Sequence, residues 1–160
     1  MKEITLKEWS AYLPYGLKFK TKRGLDTLST LSDELINCDL EEWYSLNKVK
    51  PILYDLSWLT REITHEGETF VPLLNLVDPD KSDWDKMECL EFQAVPNIPQ
   101  SQKWFKVKHL ELGEVIQINP FNLEVLPHKV FQKLIEWKFN VFNLPDELIV
   151  RVTEDFNPYK

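Results

Sequence analysis

The chain has 160 residues, of which 43% are apolar and 28% charged, and a formal net charge of −7. That balance excludes an intrinsically disordered chain, and a chain of this length buries about two-thirds of its unfolded surface without metal or disulfide staples. It also disfavours bulk nucleic acid as a partner, because an acidic chain is repelled by phosphate.

The charge is unevenly spread. Residues 1–23 carry six Lys/Arg against Glu3 and Glu8, residues 24–77 carry ten acids against Lys48, Lys50 and Arg61, and residues 78–91 carry six acids against Lys81 and Lys86. The N-terminus has no apolar signal segment, and no run approaches the roughly 18 apolar residues of a spanning helix. A soluble, intracellular protein with no membrane partner is expected. Cys38 and Cys89 match no metal or redox spacing, so reduced, buried thiols are the simpler reading.

In chain order, Thr5 followed by Glu8 is a capping-box pattern and predicts a short N-terminal helix closed by Pro14. "GLKFKTKRG" alternates Leu17, Phe19 and Thr21 with lysines, as a half-buried strand does. The same stretch, with Phe19 among lysines, admits a nucleic-acid reading by stacking and phosphate neutralisation, but the strand reading is preferred. "LDTLSTLSDELINC" fits either a helical or a strand period, with strands favoured by its Ser/Thr content. An extended segment is expected around Pro51, then a turn of helix at "DLSWLTRE". "EITHEGETFVPL" reads as a hairpin tipped by Glu66-Gly67, with Pro72 at a sheet edge or ending the return strand.

Residues 78–103 are acidic and Pro-rich, and a long loop, or a short helix over 83–92 and a Pro-rich connection, is expected. "WFKVKHLELGEVIQI" resumes as strands broken at Gly113. "LPHKVFQKLIEWKFNVFNLP" then places Val130, Leu134, Trp137 and Val141 on one line with Phe131, Ile135 and Phe142 beside it, and His128, Lys129, Gln132, Lys133, Glu136 and Asn140 opposite. That pattern predicts an amphipathic helix over 127–142 whose apolar stripe is core.

The patterns for common catalysis are missing: no nucleophile elbow, no Gly-Lys phosphate loop and no zinc-hydrolase helix. His65, His109 and His128 stand in separate elements without ligand spacing. No catalytic residue, cofactor site or metal site is therefore predicted. Asp78, Asp80, Asp83 and Asp85 around Trp84 resemble a calcium loop only loosely, because the turn Gly and the terminal Glu are missing. Asp39, Glu41 and Glu42 beside Trp43 repeat the same chemistry. An aromatic anchor ringed by carboxylates suits a basic protein surface, so these nine residues are the candidate partner-binding set.

"LPYGLK" (13–18), "VKPILYDLSWLTREITHEGETFVPL" (49–73) and "LPHKVFQKLIEWKFNVFNL" (126–144) together resemble a family of small proteins, without assigned activity, encoded by tailed bacteriophages, prophages and other bacterial mobile elements. Tyr54-Asp55, Trp58 and Lys138 depart from that family's pattern. The resemblance implies an accessory protein acting in a bacterial cytoplasm and transfers no catalytic residue. The expectation is one α+β domain over residues 1–160: a mainly antiparallel sheet with the C-terminal amphipathic helix packed on it and a short N-terminal helix. The expected function is non-enzymatic binding of a host protein with a basic nucleic-acid-binding surface, inhibiting a host defence factor through the acidic patches. The alternative is a phage structural or morphogenesis component that self-associates as a homo-oligomer.

Overall fold

A computed structural model of the protein describes residues 2–32, 35–38, 43–93, 103–120 and 122–160. The contacts divide the chain into two compact units, residues 1–55 with 134–158, and residues 56–133 with 159–160. Among the described residues, no helix is long and apolar enough to cross a membrane.

The first unit begins with α1 (Leu6–Tyr12). Thr5 Oγ1 accepts from the Glu8 backbone N–H and Glu8 Oε2 accepts from the Thr5 N–H at 2.7 Å, so the box closes in both directions. Trp9 and Tyr12 form its buried side. Gly16, with a φ of 65°, then turns the chain into β1 (Lys18–Thr21). β2 (Gly24–Leu31), β3 (Leu35–Cys38), β4 (Trp43–Ser45), β5 (Lys50–Leu53) and the two-residue β11 (Val150–Arg151) complete a six-stranded open sheet in the order β11-β5-β1-β2-β3-β4. All its pairings are antiparallel except β11 against β5, which is parallel. Leu17, Phe19, Ile52 and Leu53 are fully buried in it.

The second unit holds the hairpin β6 (Ile63–His65) and β7 (Glu68–Phe70), then α2 (Pro72–Val77). An antiparallel three-stranded sheet follows, in the order β10-β9-β8: β8 (Met87–Gln93), β9 (Lys103–His109) and β10 (Gly113–Ile118). Leu73 on α2 and Phe105 and Val107 on β9 are buried, and α2 packs against β8 and β9. The last helix, α3 (His128–Glu136), contains the boundary between the units, which falls between Lys133 and Leu134.

This architecture corrects the expected fold class in three ways. Among the described residues there are three α-helices, not two; the main sheet is mixed; and the C-terminal helix is short. Pro72 ends nothing. Its fixed φ and missing N–H suit the first turn of a helix, and it opens α2 there. The parallel strand β11 is two residues long and joins β5 from almost a hundred residues away, which no local period announces. The region read as loop or helix over 83–92 contains a strand, because Met87–Gln93 pairs residue for residue with β9. Residues 94–102, read as a Pro-rich connection, lie outside the described residues.

The predicted helix over 127–142 stops at Glu136 for a definable reason. Lys138 takes a left-handed φ of 62°, its N–H donates to Ile135 O at 2.9 Å, and the Phe139 N–H donates to Leu134 O at 2.9 Å. This is a Schellman stop with lysine where glycine is usual, closed by the buried pair Leu134 and Phe139. Lys138 is 1% exposed and its Nζ donates to Glu136 O at 2.6 Å, so the side chain satisfies another carbonyl of the helix end.

Past that reversal the chain is stitched to Tyr54. The Tyr54 N–H donates to Lys138 O at 2.8 Å and the Asn140 N–H donates to Tyr54 O at 2.9 Å. The Tyr12 hydroxyl donates to Phe139 O. Asn140, expected on the wet face of a helix, is buried, and its side-chain amide exchanges two 2.9 Å hydrogen bonds with the Leu144 backbone. Asn140→Ala strips both partners from a buried peptide group, so a loss of roughly 2–3 kcal/mol is expected in urea unfolding, without loss of secondary structure in far-UV circular dichroism.

Burial pushes the Tyr54 phenol up from 10.0 to about 12, with the hydrogen bond from Asn157 partly offsetting the rise. Because the folded value lies above the unfolded one, the unfolded chain ionises first. This contribution is fully present below pH 10 and is lost as pH rises toward about 12. Wild type should lose roughly 2 kcal/mol more stability than Tyr54→Phe across that alkaline window, read as the difference in urea midpoints.

Candidate functional site

The six candidate residues that are described fall in two places. Asp39, Glu41 and Glu42 lie outside the described residues. Trp43 opens β4, at the end of the six-stranded sheet in the first unit, and among the described residues its strand pairs with β3 alone, Trp43 opposite Asn37. Its side chain is 51% exposed. An indole that stays in water while Trp9 of the same unit is fully buried is available to a partner.

The other five residues lie in the second unit, between α2 and β8, and they do not form a uniformly free acidic surface. Asp78 caps the end of α2, where its N–H donates to Leu74 O. Its carboxylate accepts from the Asp83 N–H at 2.9 Å and from Ser82 Oγ at 3.2 Å, and its carbonyl accepts from Trp84 Nε1 at 2.8 Å. Asp78 therefore organises the loop, as aspartates at turns commonly do.

Trp84 is half-buried, not an exposed anchor, and Lys81 Nζ sits 5.2 Å from its ring centre. That ammonium also pairs with Glu68 Oε1 at 3.0 Å and donates to Thr69 O at 3.2 Å, fastening the loop to the β6–β7 hairpin. Lys81 reaches this position from a left-handed φ of 59°. Asp83 pairs with Lys86 at 3.3 Å. Asp80 and Asp85 remain as exposed carboxylates.

Sequence spacing could not separate these roles, because whether an Asp faces inward or outward depends on which backbone N–H groups the turn presents. Asp78→Ala should lower stability by roughly 1–2 kcal/mol by removing the loop's acceptor, whereas Asp80→Ala should leave the thermal midpoint unchanged; calorimetry of the two variants checks this.

The remaining chemistry-bearing groups are dispersed. His65 is buried on β6 with its ring against Tyr159, His128 is exposed at the start of α3, and His109 ends β9. Among the described residues, no group of three or more His, Cys, Asp or Glu side chains is placed to hold a metal ion. Cys89 is a free thiol on β8 whose pKa is pushed up to about 11, first by burial and then by the neighbouring Glu88, which makes it a poor nucleophile at neutral pH. The basic strand β1 lies inside the sheet with Leu17, Phe19 and Thr21 buried, so Phe19 offers no stacking surface.

Two features escaped the sequence reading. A groove of about 410 Å³ in the first unit is lined by residues 3–6 and 45–47, and a smaller one of about 120 Å³ beside it adds Lys2, Lys50 and Glu147. In the second unit, Leu110 and Leu112, at the tip between β9 and β10, are each 78% exposed. The signal for the second was present: "LEL" directly before Gly113 puts leucines in a turn, where no strand face can bury them.

No protein-family model, no curated protein and no solved structure matches the chain.

Proposed function

We propose that the chain is a non-enzymatic accessory protein of a bacteriophage or bacterial mobile element, acting in the bacterial cytoplasm by binding a host protein and thereby inhibiting a defence factor. The observation that carries this reading is Trp43, half exposed on a sheet-end strand and preceded in sequence by Asp39, Glu41 and Glu42. An aromatic anchor supplies desolvated contact area, and carboxylates around it favour a basic surface and speed encounter with it. Asp80 and Asp85 add exposed negative charge in the second unit. A partner that handles nucleic acid presents the complementary chemistry, and covering its basic surface blocks its substrate.

Self-association as a structural or morphogenesis component is the second reading, favoured by the exposed Leu110 and Leu112, since exposed apolar clusters commonly mark association surfaces.

Affinity purification of the tagged protein from bacterial lysate, followed by a salt titration, separates the two. The inhibitor reading expects one basic partner, released by moderate salt and weakened about thirtyfold by Trp43→Ala, the size of a typical interface hot spot. Charge reversal at Glu41 and Glu42 should weaken it as well. Unchanged affinity in these variants overturns the mechanism. Recovery of the protein alone, as a defined oligomer in light scattering, transfers the weight to self-association.

A further inference from the structure

The turn between β9 and β10 carries three consecutive backbone N–H groups that need acceptors. Leu110 donates to the O of Lys86, the residue before β8, at 2.9 Å. Glu111 and Leu112 have no carbonyl to meet, and both donate to one atom, His109 Nδ1, at 3.1 and 3.2 Å. His109 is 5% exposed and pairs with Met87 of β8 and Gly113 of β10, so its backbone is held from both sides. Gly113, with a φ of 80°, completes the turn.

An imidazole nitrogen accepts hydrogen bonds only while it carries a lone pair. Two donors aimed at Nδ1 require a neutral ring with its proton on Nε2. Protonation turns Nδ1 into a third donor facing two others, and both bonds are lost at once. We infer that His109 is a proton-sensitive latch: its neutral ring holds the β9–β10 tip closed, and its protonation releases the tip that displays Leu110 and Leu112.

The surroundings contain nothing that replaces the latch. His109's cross-strand partners, Met87 and Gly113, do not titrate. The charged neighbours are Lys86 just before β8 and Glu88 on it, Glu114 on β10, and Lys108 and Glu111 along its own chain, while α2, packed against this sheet, has no ionisable side chain. The direction follows: the tip is closed at pH above the imidazole titration and open below it.

Nuclear magnetic resonance of the full-length, ¹⁵N-labelled protein tests this. At neutral pH the His109 nitrogen shifts should report the Nε2–H form. As the ring protonates, amide exchange protection at Glu111 and Leu112 should fall about tenfold after correction for intrinsic rates, while Leu110 keeps its protection through Lys86 O. His109→Asn, whose side-chain oxygen accepts from the same turn without titrating, should retain protection and lose its pH dependence. An Nδ1–H form at neutral pH, or protection at Glu111 and Leu112 that stays constant through the titration of His109, overturns the proposal. Both of these are read on the wild-type protein, so they hold even if the variant does not fold.

Discussion

The reversal of the backbone at Lys138 is the constraint on which the C-terminal third of the first unit depends. A lysine in the left-handed region costs about 1 kcal/mol or more relative to glycine, and the structure offsets this with two Schellman hydrogen bonds, the Nζ bond to Glu136 O and burial of Phe139 against Leu134. The turn redirects the chain so that residues 138–140 run beside Tyr54, where a parallel bridge forms between Tyr54 and Phe139. Tyr12 adds a bond from α1 to the same carbonyl row. A continuous helix to residue 142 would forfeit every one of these contacts, which is why a strong apolar period yields to tertiary hydrogen bonding here.

The acidic character of the protein divides into structural and available parts. Asp78 and Asp83 are drawn into the loop's own hydrogen bonds and ion pairs, and Lys81 neutralises charge while bracing Trp84. Such surface pairs contribute little individually, about 0–1 kcal/mol, but they fix which carboxylates point outward. Fewer carboxylates are therefore free of the loop's own bonds than the composition suggests, and the indole of Trp43 is more exposed than that of Trp84. The same economy of acceptors recurs at the β9–β10 tip, where one imidazole nitrogen serves two amides. Polar groups at both sites hold their own turns closed before they can serve any partner.

Local signals in the chain determined a good deal. Thr5 and Glu8 announced α1 because a capping box uses only residues within one turn. The alternation of Leu17, Phe19 and Thr21 announced β1, and Glu66-Gly67 announced the β6–β7 tip, because strand period and positive φ are properties of neighbouring residues. The apolar stripe at Val130, Leu134, Trp137 and Val141 read as core, and those side chains are buried.

Only the tertiary structure decided the rest. Pro72 follows a strand end, but only the fold shows that it also opens α2, and Met87–Gln93 became a strand because β9 supplied its hydrogen bonds. β11 is too short to carry a period and exists through its partner β5. Asp78 and Asp80, two residues apart and alike in sequence, took opposite roles because one meets backbone N–H groups and the other meets water. Periodicity and caps are written within a few residues, whereas the partner of a buried polar group comes from a distant part of the chain, and that partner determines what the group can do.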